Sequence, residues 1–300
     1  MTTDSPVAGA TPFVPPADAP SWFLDNLNHP GESRYATVNG KRVHFLCWNW
    51  QRTELPVLVL VHGFCGNAHW WAYLAPFFTD RYRVIAIDLP AMGDSDHLDR
   101  YEDDNCYADG IVGVIREHNL GPVTIAGHSF GGVQTIRALA LAPELFRQGL
   151  IIDSIVRFPP EETIPLIKPR DHLRSRATQL ECQREFRLAP PQPDYIEALV
   201  QYIGYHSCRV TAEGWSWKFD PRAINVGELR QLELLQKVTT PISTIYGELS
   251  LFSDNGRPQR ILESFLCGER LIVIPKAHHH LMTDHPLQLV EAMNALLHPL

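Results

Sequence analysis

The sequence predicts an α/β fold, a mostly parallel β-sheet covered by helices on both faces with a helical lid inserted into it. Short, continuously apolar runs rich in β-branched residues recur along the chain, as is typical of parallel strands buried on both faces. Segments with helical apolar spacing lie between these runs, and this alternation indicates a doubly covered sheet. The alternation is interrupted once, between residues 156 and 236, where no clear buried strand is present.

The predicted elements follow in a regular order. Residues 34–50 predict a β-hairpin at the sheet edge, because Asn39-Gly40 tolerates the positive φ angles of a tight turn. Apolar residues at helical spacing, for example at 108–115 and 289–297, predict covering helices. The predicted buried strands are 57–61, 82–87, 123–126, 149–152, 242–246 and 270–274.

This order predicts three regions. Residues 1–30 are expected to form a flexible N-terminal arm, residues 31–155 and 237–300 the sheet core, and residues 156–236 the lid. Within the lid, Thr178 precedes Glu181 by three residues, which is the capping-box signature of a helix start. A second lid helix is predicted after Asp194, where apolar residues recur on one helical face.

The composition limits the partners and the cellular location that can be expected for this protein. Lys and Arg total 26 against 34 Asp and Glu, a net charge of −8, and there is no basic run to follow a phosphate backbone, so no nucleic-acid partner is expected. No apolar stretch is long enough to cross a bilayer, and the N-terminus lacks the features of a signal peptide. The 6 cysteines form no CxxC pair and are expected to be reduced thiols. We therefore expect a cytoplasmic protein; nothing in the sequence indicates a cofactor or an oligomeric state.

A candidate nucleophile lies in the motif GHSFGG at residues 127–132. The motif stands between a predicted strand and a predicted helix, where a sharp turn requires small residues two positions before and two after its corner. Ser129 at that corner is expected to project at the rim of the sheet as a nucleophile. The alternative is a glycine-rich turn whose serine only caps the helix.

A serine nucleophile needs a base. His278, His279 and His280 follow the last predicted strand, whose carboxyl end falls on the same rim as Ser129. A metal site is the alternative for three histidines, but neighbouring loop residues point in different directions and no second cluster completes a ligand set. No metal is therefore expected.

Two backbone N–H groups are predicted to form an oxyanion hole. The segment HGFCG at residues 62–66 follows the first buried strand on that rim, and its small residues leave room for the N–H of Phe64 to face the reacting carbonyl. The second donor is the N–H of Phe130, directly after the nucleophile. Cys65 is interpreted as a space-filling residue and not as a nucleophile.

The order strand–HGFCG, strand–DLPAMGDSD, strand–GHSFGG, lid and AHHHLMTDHP resembles the α/β-hydrolase superfamily over about residues 30–300. Segments 186–192 and 215–221 of the lid resemble a bacterial group of serine hydrolases within it. The resemblance implies that the catalytic histidine lies seven residues before Pro286, which is His279. Asp88, Asp94 and Ser95 are interpreted as structural hydrogen-bonding residues.

The acid of the triad is less clearly marked. The resemblance implies an aspartate shortly after Gly247, where this chain has Ser250. Some members of the superfamily take the acid from the strand end that carries Asp153, so Asp153 is the favoured acid. Asp254, Glu248 and a dyad without an acid remain alternatives.

The resulting hypothesis is a serine hydrolase that cleaves carboxylic esters of small or medium apolar substrates through an acyl-enzyme. The same residues would serve a thioester, a lactone or a C–C bond, and a catalytically degenerate ligand-binding protein is the alternative of another class. Aromatic residues of the first loop and the lid are expected to form an apolar substrate pocket. These are Trp70, Trp71, Phe158, Trp215 and Trp217.

Overall fold

The computed structural model describes residues 12–101, 105–156, 172–223 and 231–298. In these segments, ten strands form an eight-stranded sheet and a two-stranded hairpin. The strands are β1 (Glu32–Val38), β2 (Lys41–Trp48), β3 (Val57–Val61), β4 (Arg83–Ile87), β5 (Val123–His128), β6 (Phe146–Ile152), β7 (Cys208–Thr211), β8 (Gly214–Trp217), β9 (Ile242–Gly247) and β10 (Gly268–Ile274). The α-helices are α1 (Ser21–Leu27), α2 (His69–Ala72), α3 (Cys106–Glu117), α4 (Phe130–Leu141), α5 (Gln179–Arg184), α6 (Glu197–His206), α7 (Gln231–Leu235), α8 (Arg257–Ser264), α9 (Leu281–Asp284) and α10 (Pro286–Leu296).

The large sheet has the order β1-β2-β4-β3-β5-β6-β9-β10. β1 and β2 pair antiparallel at its edge, as the Asn39-Gly40 turn predicts, and β2 pairs antiparallel with β4. All other pairs in this sheet are parallel. The predicted α/β class with a mostly parallel sheet is confirmed. The carboxyl ends of β3, β5, β6 and β10 lie on one rim, where the candidate residues meet.

Both faces are buried along the central strands, which explains their continuously apolar sequences. At the sheet edge, β10 has only Ile274 buried, so the predicted burial of the strand 270–274 is wrong. In β3, Val59 and Val61 belong to the hydrophobic core on one face, whereas Leu58 and Leu60 belong to the core on the other. Successive side chains of a strand point to opposite faces, so a strand covered on both sides needs apolar residues at every position.

The structure corrects part of the predicted flexible N-terminal arm. Its last third, from Ser21 to Leu27, is α1, and Phe23 of this helix is completely buried. The ring of Phe23 packs edge-on against Tyr73 at 5.8 Å and Tyr202 at 5.7 Å between ring centroids. This burial holds residues 21–27 on the core, so flexibility up to residue 30 was the wrong expectation for them.

The insertion between β6 and β9 contains helices α5 and α6, as predicted, together with the unpredicted hairpin β7–β8. Thr178 accepts a hydrogen bond from the N–H of Glu181 at 3.2 Å, which is the predicted cap of α5. The sequence pattern does not predict this hairpin, because its four-residue strands contain no continuous apolar run. The lid boundaries at 156 and 236 remain a prediction.

Asp88, directly after β4, holds the rim together from a buried position. Its carboxylate accepts hydrogen bonds from the N–H of Ala68, from the N–H of Asp94 and from Nδ1 of His44, the last two both at 2.7 Å. Burial raises the pKa of Asp88, but the charge and hydrogen bond of His44, the charge of His62 and the hydrogen bond from the N–H of Asp94 together hold this pKa well below its usual range. Asp88 is therefore ionised in the folded protein.

Replacing Asp88 by asparagine is expected to lower the free energy of unfolding by about 3 kcal/mol, because a buried charge pair loses one partner. Urea unfolding measures this loss. The folded-state pKa is depressed, so the stabilisation is present above the unfolded-state pKa of about 3.9 and disappears as the pH falls below it. Asp96→Asn is the matched control, because its surface pair with Arg42 is worth about 0–1 kcal/mol. Equal losses in both variants would contradict the assignment.

Candidate active site

Ser129 lies at a sharp turn between β5 and α4. Its backbone has φ 55° and ψ −122°, a strained conformation for a residue other than glycine. The glycines of the motif allow this turn to close: a Cβ at Gly131 would lie 2.3 Å from the carbonyl oxygen of His62, and one at Gly127 2.4 Å from that of Gly131. The steric rule that singled out Ser129 therefore describes the structure.

His279, on the loop after β10, contacts this serine. Its Nε2 lies 3.0 Å from Oγ of Ser129. Its carbonyl oxygen accepts a hydrogen bond from Nε2 of His128 at 2.9 Å, and the ring of Phe252 packs edge-on against its imidazole with 4.8 Å between centroids. The imidazole is held from several sides and is buried, with 3% exposure.

Asp153, at the end of β6, lies behind this histidine. Its Oδ1 is 2.9 Å from Nδ1 of His279. Because a carboxylate only accepts, Nδ1 carries the proton and Nε2 presents its lone pair to Ser129. The same Oδ1 accepts a hydrogen bond from the hydroxyl of Ser250 at 2.5 Å, and Oδ2 accepts one from the N–H of Gly247 at 2.7 Å. Asp153 has no exposed surface.

The alternative acids lie elsewhere. Glu248 is exposed and accepts a hydrogen bond from the N–H of Lys276 at 2.8 Å. Asp254 is exposed and pairs with Arg257 at 3.1 Å. Ser250, which stands where the resemblance implies an acid, donates to Asp153 instead; the sequence carried no signal for this contact.

The two phenylalanines predicted for an oxyanion hole lie next to each other. Their rings pack edge-on with 5.1 Å between centroids, and Phe130 also packs on Tyr107 at 5.2 Å. Among the described residues, neither the N–H of Phe64 nor that of Phe130 donates a hydrogen bond to a backbone carbonyl.

A cavity of about 560 Å³ opens over Ser129. Trp70 and Trp217 line it as predicted, together with Phe186 and Phe219 of the lid. The predicted Trp71 is instead completely buried in the sheet core. Trp215 packs on Cys182 and Cys208, and Phe158 falls outside the described residues. The clustering of aromatic residues in the sequence therefore predicts that a cavity is present, but it does not predict every residue that lines the cavity.

Two groups of side chains have the composition of metal ligands. His128, His279 and His280 bring one ring nitrogen each to within 4.8 Å of one another, and His44, Asp88 and Asp94 form a second group. The second group is accounted for by the hydrogen bonds around Asp88. The sequence analysis missed the first group because His128 comes from the nucleophile turn and not from the loop after β10.

The fold and this site define an α/β hydrolase. The sequence profile of the Alpha/beta hydrolase family matches residues 58–292, and the chain belongs to this family. A 2-(acetamidomethylene)succinate hydrolase of Mesorhizobium japonicum is 34% identical over 33% of this chain and 35% of its own length. An esterase of Mycobacterium tuberculosis is 23% identical over 81% of this chain and 83% of its own length. The alignments with four of the curated relatives, this Mesorhizobium enzyme among them, span 35–44% of those relatives' length.

Solved structures agree on the fold. A thioesterase domain from the curacin biosynthetic pathway superposes with a TM-score of 0.71 at 20% identity, covering 88% of this chain and 99% of that domain. These similarities support the α/β-hydrolase fold. No helix in the described part of the chain combines the length and apolar character needed to cross a bilayer.

Proposed function

We propose that this hydrolase cleaves carboxylic esters of small or medium apolar groups through an acyl-enzyme. The observation that most directly supports this proposal is the line of hydrogen bonds from Asp153 through His279 to Ser129 beneath an aromatic cavity. A nucleophilic oxygen, a base and two N–H donors on one rim are the parts that acyl transfer to water requires.

In the first half of the reaction, Oγ of Ser129 attacks the ester carbonyl carbon while Nε2 of His279 takes the hydroxyl proton. The carbonyl oxygen becomes an oxyanion, which accepts hydrogen bonds from the N–H groups of Phe64 and Phe130. The C–O bond to the alcohol then breaks, and the alcohol leaves with the proton from His279. An ester of Ser129 remains.

In the second half, water replaces the alcohol. Nε2 of His279 takes a proton from the water, whose oxygen attacks the acyl carbon. The bond to Ser129 breaks, Oγ recovers the proton, and the carboxylic acid leaves. In both halves Asp153 stabilises the positive imidazole, and the hydroxyl of Ser250 positions the carboxylate by donating to Oδ1.

The cavity suggests the substrate class. Trp70, Phe186, Trp217 and Phe219 offer apolar and aromatic surface to an acyl or alkyl group. Thioesters and lactones present the same electrophilic carbonyl to Ser129, and the dependence of rate on bond type separates them from ordinary esters. A cytoplasmic location is part of the proposal, because all 6 cysteines are free thiols.

Two measurements test this function. A fluorophosphonate probe is expected to label Ser129, and p-nitrophenyl esters of increasing acyl length are expected to gain about fourfold in kcat/KM per methylene until the cavity is filled, since each buried methylene contributes about 0.8 kcal/mol. Thioesters and lactones are included in the same screen. Absence of labelling together with tight ligand binding would favour a degenerate binding protein.

Trp217→Ala is expected to flatten this chain-length profile, because it removes one apolar wall of the cavity. Trp50→Ala is the matched control: Trp50 packs on Phe45 at 5.7 Å between ring centroids and is not part of the cavity lining. A profile that is flat in the unmodified protein would contradict an apolar acyl site.

A further inference from the structure

One wall of the active-site cavity is a single stretch of chain, residues 217–223, which forms the cavity strap. Every second residue of the cavity strap lines the cavity over Ser129, and these residues are Trp217, Phe219, Pro221 and Ala223. The residues between them are charged and are not part of the lining; they are Lys218, Asp220 and Arg222. Successive side chains of an extended chain point to opposite sides, so the alternation of apolar and charged residues gives the cavity strap one face toward the substrate and one toward the core.

Asp220 is the most buried of the charged residues in the cavity strap, with 1% exposure. Its Oδ2 accepts hydrogen bonds from the hydroxyl of Tyr101 at 2.6 Å and from Nη2 of Arg222 at 2.7 Å, and its Oδ1 accepts one from the backbone N–H of Arg222 at 2.9 Å. Nδ1 of His97 lies 3.3 Å from Oδ2. Burial raises the pKa of Asp220, but the hydrogen bonds of Arg222 and Tyr101 and the nearby His97 together lower it to about 2, so the carboxylate is ionised.

The loop after β4, residues 88–101, holds the cavity strap at two further points. The N–H of Asp220 donates to the carbonyl of Ala91 at 2.8 Å, and Nζ of Lys218 donates to the carboxylate of Asp94 at 2.7 Å. The pair of Lys218 and Asp94 is partly exposed to solvent, which weakens it. The buried contacts of Asp220 are therefore the principal anchor of the cavity strap on the core.

This anchor is separate from the reacting groups. In the described part of the chain, the hydrogen bonds and ion pairs of the Asp220 carboxylate go to Tyr101, His97 and Arg222 and not to the catalytic residues of the proposed function. The two neighbours of Asp220 in sequence, Phe219 and Pro221, both line the cavity. Loss of the carboxylate should therefore displace the wall and leave the nucleophile and its base in place.

We propose that Asp220 is a positioning residue for substrate selection, which holds the cavity strap so that its apolar side chains form one fixed wall for the acyl chain of the ester. Any other position of the cavity strap leaves buried donors and an ionised carboxylate without partners, which is costly, so one position is favoured. The preference for acyl chains thus depends on a residue outside the cavity lining. Its role in substrate selection rests on the proposed function, whereas its role in shaping the cavity does not.

Binding of straight-chain 1-alkanols of increasing length tests the wall without any chemistry. Isothermal titration calorimetry of the full chain is expected to show a gain in affinity of about fourfold per methylene until the cavity is filled. In Asp220→Ala the gain is expected to fall to about twofold per methylene, because methylenes that face a displaced wall bury only part of their surface. An unchanged gain in this variant would overturn the proposal.

Asp99→Asn is the matched control for these titrations. Asp99 lies between His97 and Tyr101 on the same loop, but its carboxylate pairs with Lys41 at 2.8 Å. The gain per methylene in this variant is expected to equal that of the unmodified protein, and a loss equal to that in Asp220→Ala would overturn the assignment. If Asp220→Ala does not fold, Tyr101→Phe decides, because it removes only the hydroxyl that donates to Oδ2. A smaller gain than in Asp99→Asn supports the anchor, and an equal gain overturns it.

Ester kinetics measure the same role during turnover. With p-nitrophenyl esters of increasing acyl length, Asp220→Ala is expected to raise KM for the long esters and to keep kcat on the shortest ester within a few-fold, since a loss of uniform binding raises KM alone. A loss of folded protein would lower the turnover of every ester by one common factor, so an equal loss at all chain lengths would overturn the positioning role. If no ester is hydrolysed under any condition, the proposed function fails, and the alkanol titrations still decide how Asp220 shapes the cavity.

Discussion

Ester turnover by Ser129→Ala is expected to fall by a factor on the order of 10³ or more, and His279→Ala is expected to lose about as much. Alanine at position 129 removes the nucleophilic oxygen, whereas alanine at position 279 leaves this oxygen without a base 3.0 Å away. The measurement is kcat/KM on the best p-nitrophenyl ester of the screen, with the fold of each variant checked by circular dichroism.

The two residues act on one proton, so their effects should not add. The double variant Ser129→Ala/His279→Ala is expected to be about as slow as either single variant, with the remaining rate coming from the oxyanion donors and substrate binding. His278→Gln serves as the control on the same loop and should retain turnover within a few-fold. Substantial turnover in either single variant would refute the serine mechanism, and fluorophosphonate labelling of Ser129→Ala would point to a different nucleophile.

Much of the framework follows from local rules in the sequence. The run 57–61 coincides with β3, because a strand covered on both faces needs an apolar side chain at every position. Glycines are needed around Ser129 because the turn brings neighbouring carbonyl groups too close to leave room for a Cβ. The meeting of Ser129, Asp153 and His279 follows from their places at the ends of parallel strands, although their catalytic roles remain predictions.

The rest depends on contacts between distant parts of the chain. The run 149–152 covers only the second half of β6, because Gln148 is buried and bonds the carbonyl of Leu296 at 2.7 Å, a partner that no local pattern reveals. The contact of Ser250 with Asp153 exists because β6 and β9 are neighbours. The burial of Phe23 likewise could not be predicted without knowing the surface that its side chain covers.

Asp153→Asn is expected to lower ester turnover by a factor on the order of 10³–10⁴. An amide carries no charge to stabilise the imidazolium, and its NH₂ group can hold the ring in the wrong tautomer. Asp254→Asn and Glu248→Gln are the matched controls. Both remove a carboxylate from the loop after β9, but neither carboxylate is hydrogen-bonded to His279 in the described structure, so turnover should stay within a few-fold.

Ser250 allows a sharper test of the same assignment, because its Oγ lies 2.5 Å from Oδ1 of Asp153. Ser250→Ala keeps the carboxylate but removes one donor to it, so a loss of about tenfold is expected, corresponding to one hydrogen bond to a charged group. The exchange variant Asp153→Ser/Ser250→Asp returns a carboxylate to the neighbourhood of Nδ1 of His279 from the β9 side. It should therefore recover part of the turnover lost in Asp153→Asn. A larger loss in Asp254→Asn than in Asp153→Asn would move the acid to Asp254, and no loss in any of the three carboxylate variants would leave a serine–histidine dyad.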